Sequence, residues 1–288
     1  MSDAHHGTPA PFTDIRRIPV GEHTFDVAVA GPDDGEPVLL LHGFPESFDE
    51  WRAVAPLLTA AGLRVIAPDQ RGYSPGARPP AVEDYLIDNL VDDVLGILDR
   101  FGAGRAHIVG HDWGASVAWT LAAQRPERVA TLTAVSVPHL ASFRSALKND
   151  PDQRRKSQYM QVFREEGRAE EALLADGARR FREMFGGAVP ADLIDAHLDR
   201  LGTRAGLVAA LNWYRAMTPE MSKLPPVDVP TTYVWGTEDV ALGRTGAEAC
   251  GDHVTADYLF VPLEGIGHWI PEEAPARLAA EILARARG

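Results

Sequence analysis

The sequence predicts an α/β fold, a mostly parallel sheet with helices on both faces, interrupted by an all-helical cap. Three observations carry that expectation. Strand-like apolar runs alternate with helix-like segments from Pro37 to Val137, the order that builds a parallel sheet covered on both sides. From about Pro138 to Lys223 the chain is rich in Arg, Glu, Ala and Leu and offers no convincing strand. Strand-like runs return at Thr231 and Asp257. The expected division is a core in two parts, residues 1–137 and 224–288, around a cap at residues 138–223.

Taken in order, Thr13 to Val20 and Thr24 to Ala30 alternate like an antiparallel pair turning near Gly21-Glu22. Pro37-Val38-Leu39-Leu40-Leu41-His42-Gly43 is a continuous apolar run, the pattern of a strand buried on both faces. A helix is expected from Phe48 to Ala61 and a strand from Arg64 to Pro68. In the loop that follows, Asp69 and Arg71 are candidates for an ion pair without chemistry. A helix from Asp84 to Phe101 precedes the short strand Arg105 to Val109. The helix Ala115 to Ala122 and the strand Val129 to Val137 come next. Gly167, Gly177, Gly186-Gly187 and Gly202 punctuate the helical cap. No internal repeat supports a helical solenoid. Leu224 to Pro230 is proline-rich and reads as a stiff return linker. Strands at Thr231 to Gly236 and Asp257 to Leu263, with a last helix from Glu272 to Arg287, complete the core.

At 288 residues, 45% of them hydrophobic, the chain has ample material for a large core. Its net charge of −13 argues against nucleic acid or an anionic membrane as a partner. The lone cysteine, Cys250, excludes an internal disulfide and fits a reducing compartment. Without companions at ligand spacing it reads as a small buried residue. Met1 to Phe12 is polar and Pro-rich with no apolar signal core, and His5-His6 is too short for a metal site. No apolar run has the length of a membrane span. A cytoplasmic protein without metal or organic cofactor is expected, and a homodimer is compatible with the sequence.

The chemistry centres on Gly110-His111-Asp112-Trp113-Gly114. The pattern G-x-S-x-G lifts its central side chain on a tight strand-to-helix turn above a parallel sheet. Here aspartate stands where serine is usual. Carboxylates attack strained or activated saturated carbon well. The product is an alkyl ester whose acyl carbon belongs to the protein, so water can hydrolyse it and restore the carboxylate. A serine would form an ether, which is not cleaved this way. Asp112 therefore points to epoxide opening or halide displacement. Its plain alternative, a helix N-cap, is decided by its partners.

In the α/β-hydrolase arrangement the chain order is nucleophile, acid, histidine. Asp112, Asp239 and His268 occur in that order. Trp235-Gly236-Thr237-Glu238-Asp239 leaves the C-terminal end of a strand, where open α/β sheets place their sites. Gly265-Ile266-Gly267-His268-Trp269 puts a histidine on a glycine loop before the final helix. His268 suits a general base near neutral pH, oriented by Asp239. Glu238 competes for that second role, and Asp239 is preferred because it ends the turn. His42-Gly43-Phe44-Pro45 follows the first long parallel strand, so the backbone N–H groups of Phe44 and Trp113 are the candidate oxyanion donors. Pro45 has no N–H and supports the loop. His42 reads as turn structure and His111 as structural support.

These residues resemble the α/β-hydrolase-fold epoxide hydrolases over nearly the whole chain. The core motifs are His42-Gly43-Phe44-Pro45-Glu46-Ser47, the Asp112 turn, Gly236-Thr237-Glu238-Asp239 and Gly267-His268-Trp269. Dehalogenases share variants of them. The cap segments Gln158 to Gly167 and Leu211 to Met217 are similar to those carrying the family's two cap tyrosines, with Glu166 where Pro is common. The resemblance implies that Tyr159 and Tyr214 hold the epoxide oxygen and protonate it as the ring opens. The chemistry agrees: a phenol with a pKa near ~10 stays protonated at neutral pH and donates well.

A haloalkane dehalogenase-like hydrolase with the same Asp-His-Asp set is the first alternative, with Trp113 and Trp213 as conceivable halide donors. Phe44 replaces the Asn seen there in several dehalogenases, and paired tyrosines suit an oxygen leaving group. A non-catalytic ligand-binding scaffold is the second, and it need not keep every member of a reactive set. A serine esterase fails because Ser116 lies a full turn beyond the elbow. Attack at the less hindered epoxide carbon, ester formation and hydrolysis to a diol are expected. Phe163, Phe181, Phe185, Met160, Trp213 and Met217 supply apolar cap material, suggesting a hydrophobic substrate.

Overall fold

The computed structural model describes residues 12–288, so the expectations for Met1 to Pro11, including His5-His6, lie outside the described residues. One eight-stranded sheet organises the chain, in the order β1-β2-β4-β3-β5-β6-β7-β8. Its strands are β1 Asp14–Val20, β2 His23–Ala30, β3 Pro37–Leu41, β4 Arg64–Pro68, β5 Ala106–His111, β6 Val129–Val135, β7 Thr231–Gly236 and β8 Tyr258–Leu263. β1 and β2 form the antiparallel pair, β2 meets β4 antiparallel, and every other pairing is parallel. β3 and β5 lie in the middle, β7 lies between β6 and β8, and all three are buried almost throughout. Their near-continuous apolar sequences follow from helices covering both faces.

The core helices are α1 Ala55–Ala60, α2 Ile87–Arg100 and α3 Trp113–Gln124 before the helical segment. Between β6 and β7 lie α4 Leu140–Asn149, α5 Pro151–Lys156, α6 Tyr159–Arg164, α7 Arg168–Glu183, α8 Ala191–Leu201 and α9 Arg204–Arg215. After β7 come α10 Arg244–Glu248, α11 Ile270–Glu273 and α12 Pro275–Arg287. No strand interrupts residues 138–223. α7 is itself broken, with left-handed backbone at Asp176, Gly177 and Ala178. Among the described residues no helix is long and apolar enough to cross a membrane.

Several expected elements are divided by proline or by caps. The helix expected from Phe48 to Ala61 is a 3₁₀ turn, Phe48–Arg52, followed by α1. Ser47 caps the first, and Pro56 sits at the start of the second, where its missing N–H costs least. The last helix breaks at Ala274 (φ −140, ψ 48) because a residue before proline is pushed out of the helical region. Leu86 (φ −57, ψ 143) likewise separates the 3₁₀ turn Val82–Tyr85 from α2. The segment 224–230 is more than a linker: Val227 N–H donates to His253 O at 2.9 Å and its carbonyl accepts from Thr255 N–H at 2.9 Å.

The expected ion pair between Asp69 and Arg71 does not form. Arg71 grips Asp93 on α2 with two bonds of 2.7 Å. Asp69 instead faces Arg200 on α8 at 3.0 Å and accepts Phe48 N–H at 2.9 Å. Neighbouring loop side chains point apart, and each finds a partner on a helix.

Candidate active site

Asp112 stands at the tip of the β5–α3 turn with φ 49 and ψ −115, a conformation rarely adopted outside glycine. Gly114 permits it: a Cβ there would strike the Leu41 carbonyl. Gly43 must also lack a Cβ, because one would collide with the Asp112 side chain. These close approaches bring the β3 loop to the carboxylate. Phe44 N–H donates to Asp112 Oδ1 at 2.9 Å. Trp113 begins α3, where an N–H has no partner within the helix.

His268 lies across Asp112, with Nε2 3.6 Å from Asp112 Oδ2 and Nδ1 2.9 Å from Asp239 Oδ2. Asp239 is fully buried, and its other oxygen accepts Ala241 N–H at 2.7 Å and Leu242 N–H at 2.9 Å. Glu238, the competing carboxylate, is exposed. Burial alone would lower the His268 pKa. Asp239's charge, the hydrogen bonds to Asp112 and Asp239, and Asp112's charge together outweigh it and hold the value well above 6.5. Burial likewise pushes Asp112 upward, but the His268 hydrogen bond and charge win, keeping it below the usual carboxylate range.

Opposite the carboxylate, Tyr159 opens α6 and Tyr214 lies in α9, with ring centroids 6.3 Å apart. Edge contacts from Phe44 (5.4 Å), Trp113 (5.1 Å) and Phe163 (5.1 Å) box the Tyr214 ring. Burial raises both phenols. The charges of Asp112 and Asp239 add for Tyr159, while Tyr159 and Asp112 add for Tyr214. Both hydroxyls therefore remain protonated, neutral donors. α9 is anchored by the buried pair Arg215–Glu170 at 2.6 Å and by Trp213 Nε1–H donating to Arg71 O at 2.8 Å.

Two cavities open beside these groups, of about 370 and 530 Å³, each lined in part by Asp112, Tyr159 and Tyr214. Met160 and Met217 line the first, and Phe163 and His268 the second. Phe181, Phe185 and Trp213 line neither and are packed in the core.

The supporting residues behind the site carry no sequence signal as a group. His42 Nε2 accepts Gln70 N–H at 3.0 Å, and burial lowers its pKa to about 3, so it stays neutral in the turn. His111 Nε2–H donates to the His268 carbonyl at 2.9 Å. Its Nδ1 faces Glu46 at 3.2 Å and Glu50 at 3.4 Å. Among the described residues, Glu46, Glu50 and His111, and Glu46, His197 and Glu272, each bring three potential ligand atoms within 4.8 Å. Burial, then Glu46's charge, raises Glu50 and Glu272, while His111 holds Glu46 low despite burial. Glu50 and Glu272 are thus biased toward their protonated forms beside Glu46, whose two oxygens are buried without a hydrogen-bond partner. Cys250 is buried, its sulfur accepting His139 N–H at 3.2 Å.

A mostly parallel sheet with a strained acidic elbow and an Asp–His pair at its strand ends defines a class of protein, and the family comparison agrees. The model of the alpha/beta hydrolase fold matches residues 36–275, and the chain belongs to that family. Within it the chain falls among the epoxide hydrolases. It is 34% identical to Epoxide hydrolase A of Mycobacterium tuberculosis, over 89% of this chain and 92% of the relative. The AB hydrolase superfamily protein YfhM of Bacillus subtilis is 35% identical, over 90% of this chain and 93% of the relative. The crystal structure of Epoxide Hydrolase A from Mycobacterium thermoresistibile superposes with a TM-score of 0.83 at 31% identity, covering 97% of this chain and 99% of that one.

Proposed function

We propose that this protein is an epoxide hydrolase that turns a hydrophobic epoxide into a vicinal diol through an ester on Asp112, with residues 138–223 acting as the cap. One observation carries the reading: a carboxylate and two neutral phenols line a shared apolar space, with the histidine–aspartate pair against the carboxylate. The named epoxide hydrolase relatives support it.

In the first half-reaction an Asp112 oxygen bonds to a ring carbon as that carbon's bond to the epoxide oxygen breaks. The electron pair goes to the oxygen, which takes a proton from Tyr159 or Tyr214. In the second, water attacks the Asp112 acyl carbon, with the Phe44 and Trp113 amides stabilising the oxyanion. His268 takes the water proton, supported by Asp239. Collapse releases the diol carrying the former Asp112 oxygen, which takes the proton held by His268, and the proton left on the Asp112 carboxyl returns to the tyrosinate. Esterification also prepares the base. It removes both the charge of Asp112 and the hydrogen bond that His268 donates to that carboxylate, two of the influences that hold the His268 pKa up. His268 therefore becomes easier to deprotonate once the ester exists.

Halide displacement would need free N–H donors around the leaving group. Trp213 Nε1–H already donates to Arg71 O, which favours the epoxide. Single-turnover reaction in oxygen-18 water tests the proposal. Label in Asp112 and an unlabelled diol are expected; a labelled diol with unlabelled Asp112 would overturn the ester route.

A further inference from the structure

α5 is started by Asp150, whose carboxylate accepts Asp152 N–H at 2.8 Å, and by Pro151 in its first turn. Asp152, Arg154 and Arg155 face solvent, while Gln153 is buried. Lys156, three positions on, shares the Gln153 face. Both side chains reach the loop after β7 that carries Asp239. Gln153 Nε2 donates to Ala241 O at 2.8 Å and to Ser157 Oγ at 2.9 Å, and its Oε1 accepts Gly243 N–H at 2.7 Å. Lys156 Nζ donates to the Asp239 carbonyl. The Gln153 amide therefore clamps residues 241–243 through one acceptor and one donor of their backbone. Inside that span Ala241 N–H and Leu242 N–H hold Asp239 Oδ1, which leaves Oδ2 for His268 Nδ1. Gln153 is only 1% exposed, so bulk water cannot stand in for its bonds.

We propose that Gln153 is a positioning residue for ester hydrolysis: from the helical segment it sets the Asp239 loop and, through Asp239, the His268 imidazole. The proposal rests on the epoxide hydrolase reading. Without the amide, the Ala241 carbonyl and Gly243 N–H lose buried partners, and the loop must shift to find others. The two N–H groups then leave Oδ1, the carboxylate is free to turn, and Oδ2 drifts from Nδ1. Burial lowers the His268 pKa, and the charge of Asp239 is the largest influence opposing it. Asp112, the other carboxylate at the ring, is esterified during this step. The remaining titratable neighbours are His111, with its ring centroid 5.1 Å away, and Glu273, which accepts Gly267 N–H and Trp269 N–H. Neither can replace Asp239 at Nδ1. Ring opening uses Asp112, Tyr159 and Tyr214 and needs no base, so a slack Asp239 loop leaves it nearly untouched. A general loosening of the helical segment would displace Tyr159 as well and slow both steps.

Gln153→Met keeps the length of the side chain and removes the amide. With styrene oxide as the probe, rapid quench and mass analysis of the Asp112 peptide follow the two steps separately. Ester formation should stay within about twofold of wild type, and ester hydrolysis should be about tenfold slower or more. The pH midpoint of hydrolysis should fall by about half a pH unit or more. Hydrolysis as fast as in the wild type, an unmoved midpoint, or equal slowing of both steps overturns the proposal. Gln153→Asn keeps a buried amide but stops one methylene short of the loop, and should give the same split if Gln153→Met fails to fold. NMR titration of the resting protein adds a readout that needs no substrate. The His268 midpoint, assigned by its loss in His268→Gln, should be lower in the Gln153 variant, and an unchanged midpoint overturns the clamp. A wild type that forms neither ester nor diol from the probe would sink the epoxide hydrolase reading instead, and the titration would still decide the clamp.

Discussion

The sheet end of the site and the helices facing it are held by different kinds of contact. Asp112, His268 and Asp239 sit on short turns at strand ends, where backbone groups grip the side chains: Phe44 N–H on Asp112, and Ala241 and Leu242 N–H on Asp239. Tyr159 and Tyr214 sit on α6 and α9, positioned by ring contacts and by long side chains such as Arg164 and Arg215. Turn geometry is set within a few residues, whereas helix placement depends on many distant contacts. The sheet end therefore has little freedom to vary, while the helical side can change its walls and keep its donors.

The sharpest way to break this contrast is Asp112→Ala, which removes the carboxylate that would accept the alkyl group. Steady-state diol formation should fall by about 10⁴-fold or more, and activity surviving the change would remove Asp112 from the mechanism. His268→Gln comes next. Turnover should fall by roughly 10³- to 10⁴-fold while the ester still forms, so a peptide heavier by the mass of the epoxide should accumulate at Asp112. Full steady turnover without that adduct would exclude His268 as the base.

On the helical side the expected losses are smaller and of another kind. Tyr214→Phe should slow ring opening by about 10²-fold, since Tyr159 still donates, without slowing hydrolysis of an ester already formed. Rapid-quench measurement of the two steps distinguishes these. Arg200→Ala breaks the contact of α8 with the sheet, where Arg200 meets Asp69 at 3.0 Å and Asp49 at 3.3 Å and lies over the Phe48 ring. Burial already raises Asp69 to about 6 against Arg200's attraction. Loss of the partly exposed guanidinium should cost about 2 kcal/mol of stability, read as a lower urea midpoint. An unchanged midpoint would mean that α8 is held by packing alone.

The smallest expected effect is a pH dependence. Because the folded-state pKa of His268 is raised, its stabilisation is complete below the unfolded value near ~6.5 and is lost as pH rises through the folded value. Asp239→Asn removes the strongest influence raising that pKa. The variant should lose less stability than the wild type across this window, measured by denaturant unfolding at several pH values. Equal slopes would show that Asp239 does not support the imidazolium.

The elbow was legible because G-x-D-x-G carries its own geometry, and the glycine loop before the last helix advertised His268 in the same way. The preference for Asp239 over Glu238 came from turn position alone, and in the fold Asp239 is buried while Glu238 is exposed. Arg200, Glu170 and Glu272 were not singled out, since their partners lie far away in the chain. Arg200 meets Asp69 across 131 residues, and Arg215 meets Glu170 across 45. Asp69 and Arg71 illustrate the converse: nearness in sequence suggested a pair, yet the loop turns the two side chains toward α8 and α2. Among the apolar cap residues, composition could not separate Met160 and Met217, which border a cavity, from Phe181 and Phe185, which fill the core.

By itself the sequence determined the order of strands and helices, the aspartate at the elbow, and the acid and histidine that follow it. Each depends on local periodicity or on a turn a few residues long. The tertiary structure alone decided that Asp112 and the two tyrosines line the same two cavities, and which charged groups bind the helices to the sheet. Cavities and long-range ion pairs are properties of how distant segments pack, and no local pattern encodes them.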